Sequence, residues 1–150
     1  MFEIKKVIND KMAKDCDKLL TKLVQSERNF DKNIKDTFVV SNNYVNKFNN
    51  DILFLAYDND LPIGFIYGYL KFQEGNFVDK SVAFIDALYV LENYRNKGIA
   101  KALINKFYDW CKENNISIVE ISVFKDNIEA INLYKKLGYE IEIYGMKKEL

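Results

Sequence analysis

Apolar and polar positions along the chain change period several times, and each change marks an element. Residues 2–8 alternate loosely through Phe2, Ile4, Val7 and Ile8, which predicts a first strand. Residues 10–27 carry Met12, Ala13, Cys16, Leu19, Leu20, Leu23 and Val24 on one helical stripe. Arg28 to Lys35 is polar and reads as a loop. A short helix is predicted over 41–50 with Ser41 as its cap. Ile52–Tyr57 and Ile63–Leu70 are apolar runs separated by Asp58-Asn59-Asp60-Leu61-Pro62, a strand, turn and strand that together make a hairpin. Residues 73–80 read as a loop leading into a further strand.

Residues 83–90, Ala-Phe-Ile-Asp-Ala-Leu-Tyr-Val, are apolar apart from Asp86 and predict a buried central strand. A polar turn follows at 92–97, then a helix over 98–113, with Ile99, Ala102, Leu103, Lys106 and Tyr108–Trp110 assigned to its inward side and Asn114-Asn115 at its end. Ser117–Val123 predicts another strand. A helix is expected over 127–137, with Asp126 as candidate cap and Gly138 just past its end. Tyr139–Met146, alternating Tyr139, Ile141 and Ile143 against Glu140 and Glu142, predicts a last strand. The order β-α-α-β-β-β-α-β-α-β gives a mixed α/β sheet with helices on both faces.

Composition narrows the chemistry. The chain has 150 residues, 49% of them hydrophobic and 29% charged, as expected of one globular domain over 1–150. Net charge is zero, so no broad basic field is available for a polyanion, and generic nucleic-acid binding is not expected. No apolar run is long enough to span a bilayer, and the first residues lack the apolar core of a signal peptide, so a cytoplasmic protein with reduced thiols is expected. Histidine is absent, which removes Ser-His-Asp and Cys-His catalysis and histidine-ligated metals. Cys16 and Cys111 are far apart in sequence and build no four-cysteine metal site, so no metal is expected. A general base must then come from a carboxylate, Tyr, Lys, Cys, the terminal amine or water.

The most informative stretch is the strand, basic turn and helix at 83–113. A helix start presents free N–H groups and the positive end of the dipole, a natural anion site. Arg95 and Lys97 add charge there, and Gly98 and Ala100 leave the backbone accessible to a phosphate. Arg95-Asn96-Lys97-Gly98-Ile99-Ala100 resembles the pyrophosphate loop, R/Q-x-x-G-x-G/A, of the GCN5-related N-acetyltransferases (GNAT). Ala100 stands in place of the commoner second glycine. Asn127-Ile128-Glu129-Ala130-Ile131-Asn132-Leu133-Tyr134-Lys135-Lys136-Leu137-Gly138-Tyr139 is similar to the N-x-x-A-x-x-L-Y-x-x-x-G-F/Y signature of the same family. The likeness extends through the order of elements and reaches motif level from about residue 83 onward. Neither G-x-G-x-x-G nor G-x-x-x-x-G-K-S/T occurs, which argues against the two common nucleotide-binding designs.

The resemblance implies the GNAT acyl-CoA N-acyltransferase fold and transfer of an acetyl group from acetyl-CoA to a primary amine in a ternary complex. The pyrophosphate would lie on Arg95, Asn96, Lys97, Gly98, Ile99 and Ala100. The pantetheine arm would pair with the backbone of Leu88, Tyr89 and Val90, as in strand addition, and Asn127 would bond the arm or a strand carbonyl. Tyr134 matches the position that protonates the leaving thiolate in many relatives. Asp86 is the candidate base, expected on the same strand face as Leu88 and Val90 and raised in pKa by an apolar setting; Glu92 and Glu120 are the alternatives. Tyr67, Tyr69 and Phe72 are read as core first and as amine-site aromatics second. Ala87 stands where some relatives carry a second carboxylate. The acceptor is an amine of a small molecule or a protein, and a homodimer through an exposed 139–146 strand is a possible assembly. The alternative function is a non-catalytic CoA sensor or interaction module.

Overall fold

A computed structural model of the chain describes residues 1–75 and 80–150, so Asn76–Asp79 of the expected 73–80 loop lie outside the described residues. Five strands form one sheet in the order β1 (Glu3–Lys6), β2 (Ile52–Asp58), β3 (Leu61–Gln73), β4 (Lys80–Val90) and β5 (Val119–Ile121). The first three pairings are antiparallel, and β4 with β5 is parallel. Helix α1 (Asp10–Glu27) covers one face and α2 (Ile99–Glu113) the other; α3 (Ile128–Lys136) follows β5. The mixed sheet with helices on both faces is as the sequence implied. β3 is longer than expected and β4 begins at Lys80.

Asn9 starts α1, its side-chain oxygen accepting from the Met12 N–H at 2.9 Å. Met12, Ala13, Cys16 and Leu19 are buried against Leu53, Leu55, Phe65 and Tyr67. The stripe of α2 differs from the predicted one. Ile99, Leu103, Ile104, Phe107 and Cys111 are buried, whereas Lys106 is exposed. The 3.6-residue period selects 99, 103, 107 and 111 as one line, and Lys106 falls beside it.

Three further predictions are corrected. Residues 41–50 form turns rather than a helix, and Ser41 is no cap. Asp17, buried on α1, accepts from the Asn43 and Tyr44 amides at 3.1 Å each and pins the start of this segment, whose turns are closed by the Lys47 and Phe48 N–H groups donating to Tyr44 O at 3.0 Å each. The cap of α3 is Asn127, whose side-chain oxygen accepts from the Ala130 N–H, and not Asp126. Residues 139–146 pair with no strand among the described residues and stay exposed beyond Tyr139, because alternation alone makes no strand without a ladder partner. No helix among the described residues is long and apolar enough to cross a membrane.

Candidate functional site

Site geometry begins with one extra residue in β4. Tyr67 of β3 pairs with Ala87 and Gly68 pairs with Ile85, so Asp86 is a bulge without a partner on β3. The alternation of side chains slips there. Ala83, Ile85, Leu88 and Val90 join the core under α2, whereas Ala87 and Tyr89 join the core under α1. The charge of Asp86 acts on Glu27, Tyr44, Tyr67 and Tyr69, all of the α1 side. Asp86 therefore does not share a face with Leu88 and Val90. It is also exposed, so the desolvation expected around it is lacking.

The pairing of β4 with β5 ends just before the bulge, at Ile85 opposite Ile121. Among the described residues no strand lies beside the outer edge of β4 from Ala87 to Val90. The Leu91 N–H donates to Ile63 O at 2.8 Å, which by antiparallel alternation turns the backbone groups of Tyr89 toward β3 and those of Leu88 and Val90 toward the open edge. Leu88 and Val90 thus present amides where an extended ligand can pair. Tyr89 contributes its ring, with the Arg95 guanidinium 5.6 Å from the centroid.

The basic turn sits at the end of that edge. A 3₁₀ turn at Glu92–Tyr94 is tied back to the β2–β3 hairpin by the Tyr94 hydroxyl, which donates to Asp58 at 3.1 Å. Arg95 Nε donates to Val90 O at 3.1 Å, which leaves the rest of the guanidinium facing the turn. Asn96 and Gly98 both lie in the left-handed region, at φ 59° and 80°. Gly98 starts α2, and the first helical bond is from Ala102 N–H to Gly98 O, so the amides of Ile99, Ala100 and Lys101 have no helical acceptor. A Cβ built on Gly98 meets nothing within 4 Å, so the space over these amides is open. Lys97 Nζ lies 5.1 Å from the Tyr94 ring centre, beside the same turn.

Where β4 and β5 diverge there is a cavity of about 360 Å³. Leu23 and Glu27 of α1, Asp86 and Leu88 of β4, and Asn127, Ala130 and Tyr134 at α3 line it, with Phe84 and Ile121–Phe124 completing the wall. Phe124 is stacked on Phe30 at 5.8 Å, which joins the β5–α3 segment to the end of α1. Asp86, Asn127 and Tyr134 therefore share one cavity. Glu92 and Glu120 do not line it. Of the aromatics read as second-choice amine contacts, Tyr67 is buried core, Tyr69 is half-buried against Phe84 at 5.6 Å, and Phe72 is exposed away from the cavity.

Tyr134 is held by the end of its own helix. Gly138, at φ 91°, lets the Tyr139 N–H reach Tyr134 O at 3.0 Å and the Gly138 N–H reach Lys135 O at 3.1 Å. The hydrophobic contact that accompanies this closure is Tyr139 against Tyr134, edge to face at 5.7 Å. Tyr108 donates to the Tyr139 hydroxyl at 2.9 Å and fixes that ring in turn. Burial pushes the Tyr134 phenol up to about 12, with Tyr108 a smaller cause. Tyr134 is thus a neutral hydrogen-bond donor throughout the physiological range. Cys16 and Cys111 are buried and pushed upward by that burial, Cys111 to about 11, so both are neutral thiols.

Glu27 is the residue the sequence did not single out. Burial raises its carboxyl pKa, and the nearby Asp86 charge raises it further. Its only sequence signal is an acidic residue closing a helix at its negative end, where a cation is the favoured choice. The sign of its effect on stability is fixed. A carboxyl whose pKa is higher folded than unfolded binds more protons in the native state, so stability falls as pH rises above about 4.5. Glu27→Gln is expected to raise the melting temperature relative to the parent at pH 8 and to lose that advantage below pH 4. Thermal melts at the two pH values check this; an unchanged difference would show that Glu27 is not desolvated.

Among the described residues, no group of three or more His, Cys, Asp or Glu side chains is placed to hold a metal ion. The family model described as Acetyltransferase (GNAT) family matches residues 18–139. An uncharacterised N-acetyltransferase of Methanocaldococcus jannaschii is 35% identical over 94 residues, 63% of this chain and 41% of that protein. The chain spans between 30% and 41% of the length of the first three curated relatives. Among solved structures, a tetramutant of the BH1408 protein of Bacillus halodurans superposes with a TM-score of 0.85 at 16% identity, covering 99% of each chain. The acetyltransferase AAC(6')-Iy, in complex with the bisubstrate analogue CoA-S-monomethyl-acetylneamine, superposes with a TM-score of 0.70 at 17% identity, covering 100% of this chain and 99% of that one.

Proposed function

The chain belongs to the acetyltransferase (GNAT) family, and on that premise we propose that it is a single N-acetyltransferase domain that moves an acetyl group from acetyl-CoA to a primary amine by direct attack. The observation that carries this reading is the divergence of β4 from β5 at Ile85 and Ile121, with Tyr134, Asp86 and Glu27 around the resulting cavity. The site fits the donor along its length. The free amides of residues 99–101, with Arg95 and Lys97 beside them, suit a pyrophosphate. The outward amides of Leu88 and Val90 suit an amide-bearing arm, and the Asn127 amide, whose oxygen is engaged by Ala130, keeps its NH₂ to donate.

Glu27 and Asp86 give the amine side of the cavity its character. Two carboxylates attract an alkylammonium, and burial with the nearby Asp86 charge raises the Glu27 pKa, which suits it to accept a proton. The amine proton passes to this pair, directly or through water, and the free nitrogen attacks the thioester carbon. The Leu88 amide faces the carbonyl oxygen as charge develops on it. The C–S bond then breaks, and the Tyr134 hydroxyl donates a hydrogen bond to the leaving sulfur as negative charge develops on it, the thiolate taking its proton finally from the amine through the Glu27 carboxyl or water. A small amine carrying more than one positive charge suits the acidic pair.

The test is calorimetric titration of acetyl-CoA into the purified protein, followed by release of free thiol on a panel of aminoglycosides, polyamines, amino acids and peptides. Saturable donor binding and amine-dependent thiol release support the proposal. Donor binding without release on any amine favours a CoA sensor, and absence of donor binding overturns the reading.

A further inference from the structure

One hydroxyl in the core has nothing to bond. Tyr44 is fully buried, and its hydroxyl has no hydrogen-bond partner among the described residues. The residue itself is firmly placed. Its N–H donates to Asp17 at 3.1 Å, and its ring packs on Tyr67 at 4.8 Å and on Phe65 at 5.7 Å. Phenylalanine would make the same ring contacts without carrying an unpaired hydroxyl into the core, which costs stability. The hydroxyl calls for a partner that the fold alone does not supply.

The neighbouring groups point to where that partner sits. Burial pushes the Tyr44 phenol upward, and Cys16, Asp86, Tyr67 and Asp17 add to the shift, so the hydroxyl is always a donor. Asp17 is occupied by the Asn43 and Tyr44 amides. Cys16 is a buried thiol and a weak acceptor. Tyr67 donates its own proton to Asp51 at 2.8 Å and keeps lone pairs on its oxygen. Asp86 stands exposed on the bulge with no residue of β3 opposite it, so its carboxylate has lone pairs to offer. The bulge is close by: Tyr67, on whose ring Tyr44 rests, pairs with Ala87, the next residue after Asp86.

We propose that Tyr44 is a positioning residue for the acidic pair, a role that rests on reading Glu27 and Asp86 as the amine side of the site. Its hydroxyl donates to an ordered water, and that water donates to the Asp86 carboxylate and to Tyr67 Oη. Three polar partners are what a buried water ordinarily has. The bulge fixes the backbone of Asp86 but leaves its side chain free to turn into solvent. Tied from below, the carboxylate stays on the α1 side of the cavity and faces Glu27. The titratable groups around it are Glu27 of α1, Tyr44, Tyr67 and Tyr69 of β3, and Tyr134 across the cavity. Lys47, over the rings of Tyr44 and Tyr67, is already engaged with Asn43 Oδ1 at 2.9 Å.

A carbon-13 NMR titration of the Glu27 carboxyl tests this in the parent, Tyr44→Phe, Asp86→Asn and the double variant. The Asp86 charge adds to the upward shift of Glu27, so losing either that charge or its position moves the Glu27 midpoint down. Expected are a downward shift in Tyr44→Phe, one at least as large in Asp86→Asn, and no further shift when the two are combined. A Tyr44→Phe titration that superposes on the parent's overturns the proposal. A shift that persists undiminished in the Asp86→Asn background overturns it too, because Tyr44 would then act on Glu27 by another route. Should Tyr44→Phe fail to fold, a crystal structure of the parent decides. A water bonded to both Tyr44 Oη and Asp86 supports the proposal, and a Tyr44 hydroxyl bonded elsewhere or to nothing overturns it. Neither readout needs turnover, so failure here strikes the role of Tyr44 alone, whereas absence of acetyl-CoA binding strikes the acetyltransferase reading.

Discussion

Replacing Gly98 with glutamate is expected to weaken acetyl-CoA binding at least a hundredfold, a loss of about 2.8 kcal/mol. Two effects combine. Gly98 sits at φ 80°, where any L side chain is strained, at a cost on the order of 1–2 kcal/mol. That cost falls on the loop whether or not a ligand is present. The second effect is specific to the donor. The space above Gly98 is open, so the new carboxylate projects without a clash into the region served by the free amides of residues 99–101. There it meets a pyrophosphate at short range, and two like charges about 4 Å apart repel by about 4 kcal/mol at an effective dielectric of 20. Gly98→Ala separates the two effects, since it carries the strain and not the charge. Calorimetry is expected to give a loss of tenfold or less for alanine and a hundredfold or more for glutamate. Equal losses would mean that the loop shape matters and no anion binds there. No loss in either would remove the donor site from this turn.

The turn was legible in the sequence because everything it needs is local: a strand, a basic Gly-containing turn and a helix start in consecutive residues. The same holds for Gly138, whose role in closing α3 depends only on its immediate neighbours. The placement of Asp86 was not legible. Residues 83–90 are apolar on both faces, so a one-residue slip leaves no trace in the hydrophobic pattern, and only pairing with β3 reveals the bulge. That slip moves Asp86 from the side of Leu88 and Val90 to the side of Glu27. Glu27 was missed for a related reason. Its significance comes from facing the charge of Asp86 in the same cavity, a juxtaposition of distant parts of the chain. The 41–50 segment and the C-terminal arm show the converse, local patterns overruled by distant partners. Asp17 accepts from the Asn43 and Tyr44 amides where Ser41 was expected to cap a helix, and the 139–146 alternation finds no ladder partner among the described residues.

Tyr134→Phe is expected to lower kcat between a hundredfold and a thousandfold while leaving acetyl-CoA affinity within about twofold, the range in which a positioned acid acts. The ring itself is structural. It closes α3 through its contact with Tyr139, and phenylalanine keeps that contact, so the helix end and the cavity wall survive the substitution. What is lost is the hydroxyl of a residue that lines the cavity. With its pKa pushed up to about 12, that hydroxyl stays protonated at every pH the protein tolerates, so it is always armed as a donor. The same shift makes it a weaker acid than the leaving thiol, whose ordinary pKa is about 8.5. Full proton transfer to free thiolate is therefore uphill by several kcal/mol, at 1.36 kcal/mol per pKa unit. On the proposed mechanism the hydroxyl acts most while the C–S bond is breaking and negative charge on sulfur is least stabilised by water. Two consequences separate this role from simple packing. The parent's pH–rate profile should show no alkaline limb attributable to Tyr134 below about pH 11, and the rising acid limb, set by the Glu27 carboxyl, should persist in Tyr134→Phe. Donors with a more acidic leaving thiol should also lose less rate on the substitution. A uniform loss across leaving groups, or a parallel loss of donor affinity, would assign Tyr134 to the cavity wall alone.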